Sequence, residues 1–155
     1  MKRFLKKGSF NNFGFEARYL KNYELLKKNS FFVLGIKFYK SKTLSIQGPG
    51  SENSNADFNF YLDKYPNYQN QSNYIYPNEN FAFFGENIFY VNDKLSVTPG
   101  FRFENIITRS DGSYKQINLD GAGNVIYNNE VFEKRKNTRR FVLLGIGIGL
   151  SLIHI

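Results

Sequence analysis

The sequence contains no cysteine and no tryptophan, and only one histidine and one methionine in 155 residues. Without thiols there is no disulfide framework, no thiolate metal site and no cysteine nucleophile. A lone histidine, His154, cannot assemble a transition-metal cluster, and no catalytic dyad can be built around it with any specificity. No enzyme, metal site or cofactor is therefore expected. Long apolar runs are also missing, since no stretch approaches the ~18 consecutive apolar residues of a transmembrane helix. The basic start Met1-Lys2-Arg3-Phe4-Leu5-Lys6-Lys7 runs straight into Gly8-Ser9-Phe10-Asn11-Asn12. The ~7–15-residue apolar segment of a secretory leader is absent there, so no signal peptide is expected. Gly145, Gly147 and Gly149 alternate with Ile and Leu and precede no helix, which excludes a phosphate-cradling loop.

What is present in quantity is aromatic. Seventeen Phe and 11 Tyr make up 18% of the chain, yet its mean hydropathy is only -0.46. Disordered chains lack such residues. The remaining class is a β-protein whose apolar side chains are diluted one-for-one by polar ones. The formal net charge of +8 raises nucleic acid as a partner. The cations, however, fall at residues 1–7, at Lys27-Lys28 and at Lys134-Arg135-Lys136-Asn137-Thr138-Arg139-Arg140, which read as turns and strand flanks. Solvated charge explains them better, and no nucleic acid partner is expected. For the run Lys134 to Arg140, contact with lipid phosphates is a second reading.

The dominant periodicity is two. From Leu95 to Thr108, Leu95, Val97, Pro99, Phe101 and Phe103 alternate with Ser96, Thr98, Gly100, Arg102 and Glu104. Phe13, Phe15, Ala17 and Tyr19 alternate with Gly14, Glu16 and Arg18. Phe32, Leu34, Ile36 and Phe38 alternate with Val33, Gly35, Lys37 and Tyr39. Near the end, Val142, Leu144, Ile146, Ile148 and Leu150 alternate with Leu143 and the three glycines. Asn80 to Val91 is strand-like but aromatic on both faces. Tight turns are expected at Lys27-Lys28-Asn29 and at Asn92-Asp93, and long loops at 47–79 and 110–130. Short turns alternating with long loops, joining about five strands long enough to cross a bilayer (~9–11 tilted residues), predict antiparallel strands of a transmembrane β-barrel. Tyr19, Tyr23, Tyr39 and Tyr90 near strand ends suit an interfacial girdle. A self-contained soluble β-barrel binding a small ligand has the same period, with its large apolar side chains turned inward.

Asn80-Phe81-Ala82-Phe83-Phe84-Gly85-Glu86-Asn87, the turn at Val91 to Lys94, and the return Leu95-Ser96-Val97-Thr98-Pro99-Gly100-Phe101-Arg102-Phe103-Glu104 together resemble a recurring hairpin of TonB-dependent outer-membrane receptors. Phe13-Gly14-Phe15-Glu16-Ala17-Arg18, Phe32 to Tyr39 and Gln47-Gly48-Pro49-Gly50 follow in that family's order, and the set is most similar to its ferric-citrate-receptor branch. The resemblance implies a large plugged barrel in the bacterial outer membrane, with an iron chelate as ligand and the TonB complex as partner through a plug. The plug and the TonB-contacting box are absent from this sequence. Leu144-Gly145 stands where Pro-Gly is expected, and the tail lacks the terminal aromatic of a finished barrel. The expectation is a partial barrel spanning residues 1–155.

Candidate binding residues follow from chemistry. Arg102 and Arg109 could hold an anionic chelate, because the guanidinium fork matches carboxylate oxygens. Tyr65, Tyr68 and Tyr74, with Tyr61 and Tyr76, are interleaved with Asn and Gln, a recognition-surface composition. The alternatives stand beside them: a self-paired polar barrel lining for the charges, and a solvated loop for the tyrosines.

Overall fold

The computed structural model describes residues 3–53 and 57–151; His154 lies outside them. Five strands pair in chain order as one open antiparallel sheet: β1 (Phe4–Leu25), β2 (Lys28–Pro49), β3 (Ser72–Tyr90), β4 (Leu95–Leu119) and β5 (Val125–Leu150). No helix is present among the described residues. The all-β expectation holds, and β1 and β5 are the sheet edges.

Cross-strand contacts fix the register. Phe15 faces Phe38 with ring centroids 6.0 Å apart, and the neighbouring Glu16 faces Lys37 at 3.9 Å. On β2 and β3, Lys40 meets Glu79 at 3.9 Å. Between β3 and β4, the Lys115 amide donates to the Gln71 carbonyl at 3.0 Å. Between β4 and β5, Lys134 meets Asp111 at 3.3 Å. Because successive side chains point to opposite faces, these pairs sort the residues of each strand into two sets.

Several expected boundaries are corrected. Residues 110–130 are not a long loop, because β4 continues to Leu119 and β5 begins at Val125. The tip is short because the Asp120 carboxylate accepts the backbone N–H groups of Ala122 at 2.9 Å and Asn124 at 2.7 Å. These bonds hold its carboxyl below the usual carboxylate range, with the Asn124 side-chain amide as the largest contributor. Polar residues on both faces hid the pairing, since backbone ladders do not need an apolar stripe. The first connection is likewise shorter than 47–79: β2 reaches Pro49 and β3 starts at Ser72, so Tyr74 and Tyr76 are strand residues. The run Lys134 to Arg140 lies inside β5 rather than at a flank. The β1–β2 turn falls at Leu26-Lys27, one residue earlier than expected.

The sheet divides into two compact units, one made of Met1–Asn12, Ser41–Asn78 and Thr108–Asn137 and the other of Phe13–Lys40, Glu79–Ile107 and Thr138–Ile155. Almost nothing apolar is buried in either. Among the described residues only Ala82 and Ile117 are buried hydrophobics, whereas Leu144 is 83% exposed and Ile148 73%.

Leu26 and Lys27 both hold positive φ, 52° and 61°. This mirror-image turn suits strand twist but costs residues with a Cβ about 1 kcal/mol or more each. Leu26→Asn with Lys27→Gly is expected to stabilise the chain by about 1 kcal/mol. The urea midpoint of the chain refolded in detergent micelles measures this, and an unchanged or lower midpoint would contradict the turn geometry.

Candidate functional site

In the second unit the two faces differ sharply. One face carries Phe15, Leu34, Phe38, Phe83, Phe101, Leu144 and their same-parity neighbours, with Phe83 packed on Phe101 at 5.6 Å. Polar pairs bound this apolar belt. At one border the Arg140 Nε donates to Asn105 Oδ1 at 2.9 Å and Lys40 pairs with Glu79. At the other, the Tyr23 hydroxyl donates to Asn87 Oδ1 at 3.0 Å, and Lys28 pairs with Asp93 at 2.5 Å. Lys28 holds the Asp93 carboxyl below its ordinary range.

The opposite face is organised around Phe84. Its ring lies directly over Gly35, where an added Cβ would come within 2.3 Å of Cζ. Arg18 and Arg102 flank the ring, their guanidinium carbons 5.7 Å and 5.4 Å from its centroid. Each arginine is paired in turn with a carboxylate two residues away on its own strand: Arg18 with Glu16 and Arg102 with Glu104, both at 2.5 Å. Lys37 adds a longer contact to Glu16. Glu104 is only 7% exposed, and its Oε2 has no hydrogen-bond partner among the described residues. Next to Arg102, a cavity of about 310 Å³ is lined by Phe84, Glu86, Gly100, Leu143 and Gly145. Since each arginine brings its own carboxylate, this face is a polar surface close to electrical balance rather than a concentrated anion trap.

In the first unit, Tyr74 crosses β4 at Gly112, where an added Cβ would sit 2.2 Å from the Asn73 carbonyl oxygen and 2.7 Å from Tyr74. Its hydroxyl donates to Glu133 Oε2 at 3.2 Å, its ring stacks on Tyr76 at 5.8 Å, and Arg135 holds the other Glu133 oxygen at 3.1 Å. The β2–β3 connection packs on the other face of this unit. Phe60 and Leu62 rest against Gly48, within 3.2 Å of the position a Cβ would take. Gln71 Nε2 donates to the Tyr65 carbonyl at 3.1 Å, and Lys115 Nζ donates to the Pro66 carbonyl at 2.9 Å. The Asn59 amide and then the Tyr61 hydroxyl, both donating to Asp57, keep its carboxyl below the usual range.

The expected binding residues therefore do not converge. Arg102 belongs to the Phe84 cluster of the second unit. Arg109, in the first unit, has the opposite parity on β4 and shares its face with Asp111. Tyr65 and Tyr68 sit in the packed connection, linked by a 3.1 Å backbone bond, on the face of the first unit opposite Tyr74. Of the girdle tyrosines, Tyr19 and Tyr23 share the apolar face. Tyr90 packs edge-on against Phe31 on the polar face, and Tyr39 has that parity too, lying beside Gly14. The feature that sequence reasoning missed is Phe84. The double-aromatic pattern of β3 looked impure because Phe84 is a large ring on the polar face, and the signal for it was Gly35 on the adjacent strand, which leaves room for the ring.

Gly35→Ala alone is expected to destabilise the folded chain, because the Phe84 ring must move. In a Phe84→Ala background the same change should be nearly neutral. A double-mutant cycle on urea midpoints should give a coupling of about 1–3 kcal/mol, and strictly additive effects would remove the ring from its assigned place.

No protein-family model and no curated protein matches this chain, so its residues and their geometry carry the functional reading.

Proposed function

We propose that this chain is part of a bacterial outer-membrane β-barrel of the TonB-dependent receptor type, whose parent binds an iron chelate such as ferric citrate or a siderophore and imports it. The observation that carries the membrane half of this reading is the apolar belt of the second unit. On β4 it runs from Leu95 to Phe103 and is closed by the Asn105–Arg140 bond. Roughly nine residues at ~3.4 Å each, tilted by ~40°, reach about 23 Å, close to the ~25 Å apolar band of such barrels. No protein layer covers the belt among the described residues, and tight polar pairs end it on both sides, as an interface with water would require. The opposite face, with its Arg–Glu pairs, has the chemistry of a wet barrel interior. The receptor half rests on the hairpin resemblance of residues 80–104.

Two outcomes are expected. In the intact parent, Phe101→Arg should lower folding stability in bilayers by about 2–4 kcal/mol, by placing a charge in lipid. Thr98→Arg, beside Gly147 on the polar face, should cost far less; equal losses would overturn the face assignment. Deleting the reading frame that carries this segment should abolish uptake of radiolabelled iron from at least one ferric chelate. Unchanged uptake across ferric citrate and a panel of siderophores would overturn the transport reading.

A further inference from the structure

The second unit has two backbone edges, and they differ in chemistry. Among the described residues β5 is paired on one side only, with β4. There the Ser151 amide donates to the Lys94 carbonyl at 2.7 Å. Along an antiparallel strand the N–H and C=O groups of alternate residues point to opposite sides. The odd residues of this stretch therefore bond β4, while Val142, Leu144, Ile146, Ile148 and Leu150 turn their backbone groups to the open edge. The side chains of those five are exposed. Residues 141–150 contain no charge and no proline, the composition that invites a further strand. The β1 edge is guarded instead. Glu16, Arg18, Lys21 and Glu24 interrupt residues 13–25, and charges of this kind protect sheet edges from pairing.

We infer that the edge at residues 142–150 of β5 is a dimer interface, at which a second copy of this chain adds its own β5 antiparallel. The occupant follows from geometry. Five antiparallel strands in chain order leave β1 and β5 running in the same direction. With like faces kept on the same side, joining β5 to another copy's β1 gives a parallel pair. Joining β5 to β5 gives an antiparallel pair related by a two-fold axis. The segment also complements itself. With the axis at Ile146, Val142 falls opposite Leu150 and Leu144 opposite Ile148 of the second copy, and the backbone groups that meet are those turned to the edge. About ten N–H···O bonds then close the ladder. On the other parity Leu143 falls opposite Gly149 and Gly145 opposite Gly147, so Leu143 has a glycine to lie over. Arg140 stays outside the paired segment, and no like charges meet across it. The inference goes beyond the receptor reading and does not depend on it, since it uses only this edge and the side chains flanking it.

Because the chain has no cysteine, a single introduced cysteine reports only contacts between copies. The full chain, refolded in detergent micelles, should have the mass of a dimer by sedimentation equilibrium. Across the axis the two Ile146 backbones lie ~5.5 Å apart, within disulfide reach. The two Leu150 backbones are separated along the strands by ~27 Å. Ile146→Cys should therefore cross-link at least ~10-fold more than Leu150→Cys, or than Tyr19→Cys on β1. Ile146→Pro removes an N–H turned away from β4, so it should give a monomer that keeps its β-type circular dichroism. The cysteine comparison decides the matter whether or not that variant refolds. A monomeric wild-type chain would overturn the interface, as would equal cross-linking at Ile146 and Leu150. In a mixture, cross-linking of Tyr19→Cys chains to Ile146→Cys chains would give the edge to a neighbour's β1 and overturn the two-fold pairing.

Discussion

The structure depends on one constraint: long antiparallel strands place alternate side chains on opposite faces, and in the second unit no second layer of protein covers either face among the described residues. A soluble sheet of this size would bury its Phe and Leu side chains against another sheet or a helix. Here the aromatic and aliphatic set Phe15, Leu34, Phe83, Phe101 and Leu144 stays on the surface of an open sheet. Full burial of one such side chain contributes about 1.5–3 kcal/mol, so the belt holds a large stabilisation that water alone does not release. The proposed lipid environment would supply the missing layer, with polar pairs at its borders meeting the interface.

The polar face has a different logic. Its ion pairs are mostly exposed, and such pairs typically contribute between nothing and about 1 kcal/mol. They do not hold the strands together; the backbone ladder does. What they accomplish is positional. Arg18 and Arg102 keep Phe84 over Gly35, and Glu16 and Glu104 keep each guanidinium beside the ring. Tyr74 is similarly guided across Gly112 to Glu133. In both units a glycine on the intervening strand opens a lane, and a ring from the next strand occupies it.

These lanes explain what could and could not be read in the sequence. Alternation alone placed Leu95 to Phe103, Phe13 to Tyr19 and Val142 to Leu150 on strands, because each had one consistently apolar parity. The continuation of β4 through Asp111 to Leu119 carries no such contrast and read as a loop. The decisive local fact, Asp120 closing a five-residue tip, emerged only from the hydrogen bonds. The turn at Leu26-Lys27 was displaced by a residue because neither side chain signals positive φ. Among the candidate binding residues, Arg102 was recognisable as a polar-face residue. Arg109 was grouped with it although seven residues, an odd number, separate them on one strand. Parity was available in the sequence, and applying it to Arg109 would have assigned it to the other face.

The same parity argument applies to the basic run of β5. A net charge of +8 suggests a single basic surface, but a basic run within a strand cannot form one, since successive cations leave on opposite sides. On β5 one set meets carboxylates such as Glu133, as a lining in electrical balance would. The other holds Lys134, paired with Asp111, and the exposed Lys136. The basic run is thus divided between the two faces of β5 and forms no single basic surface there.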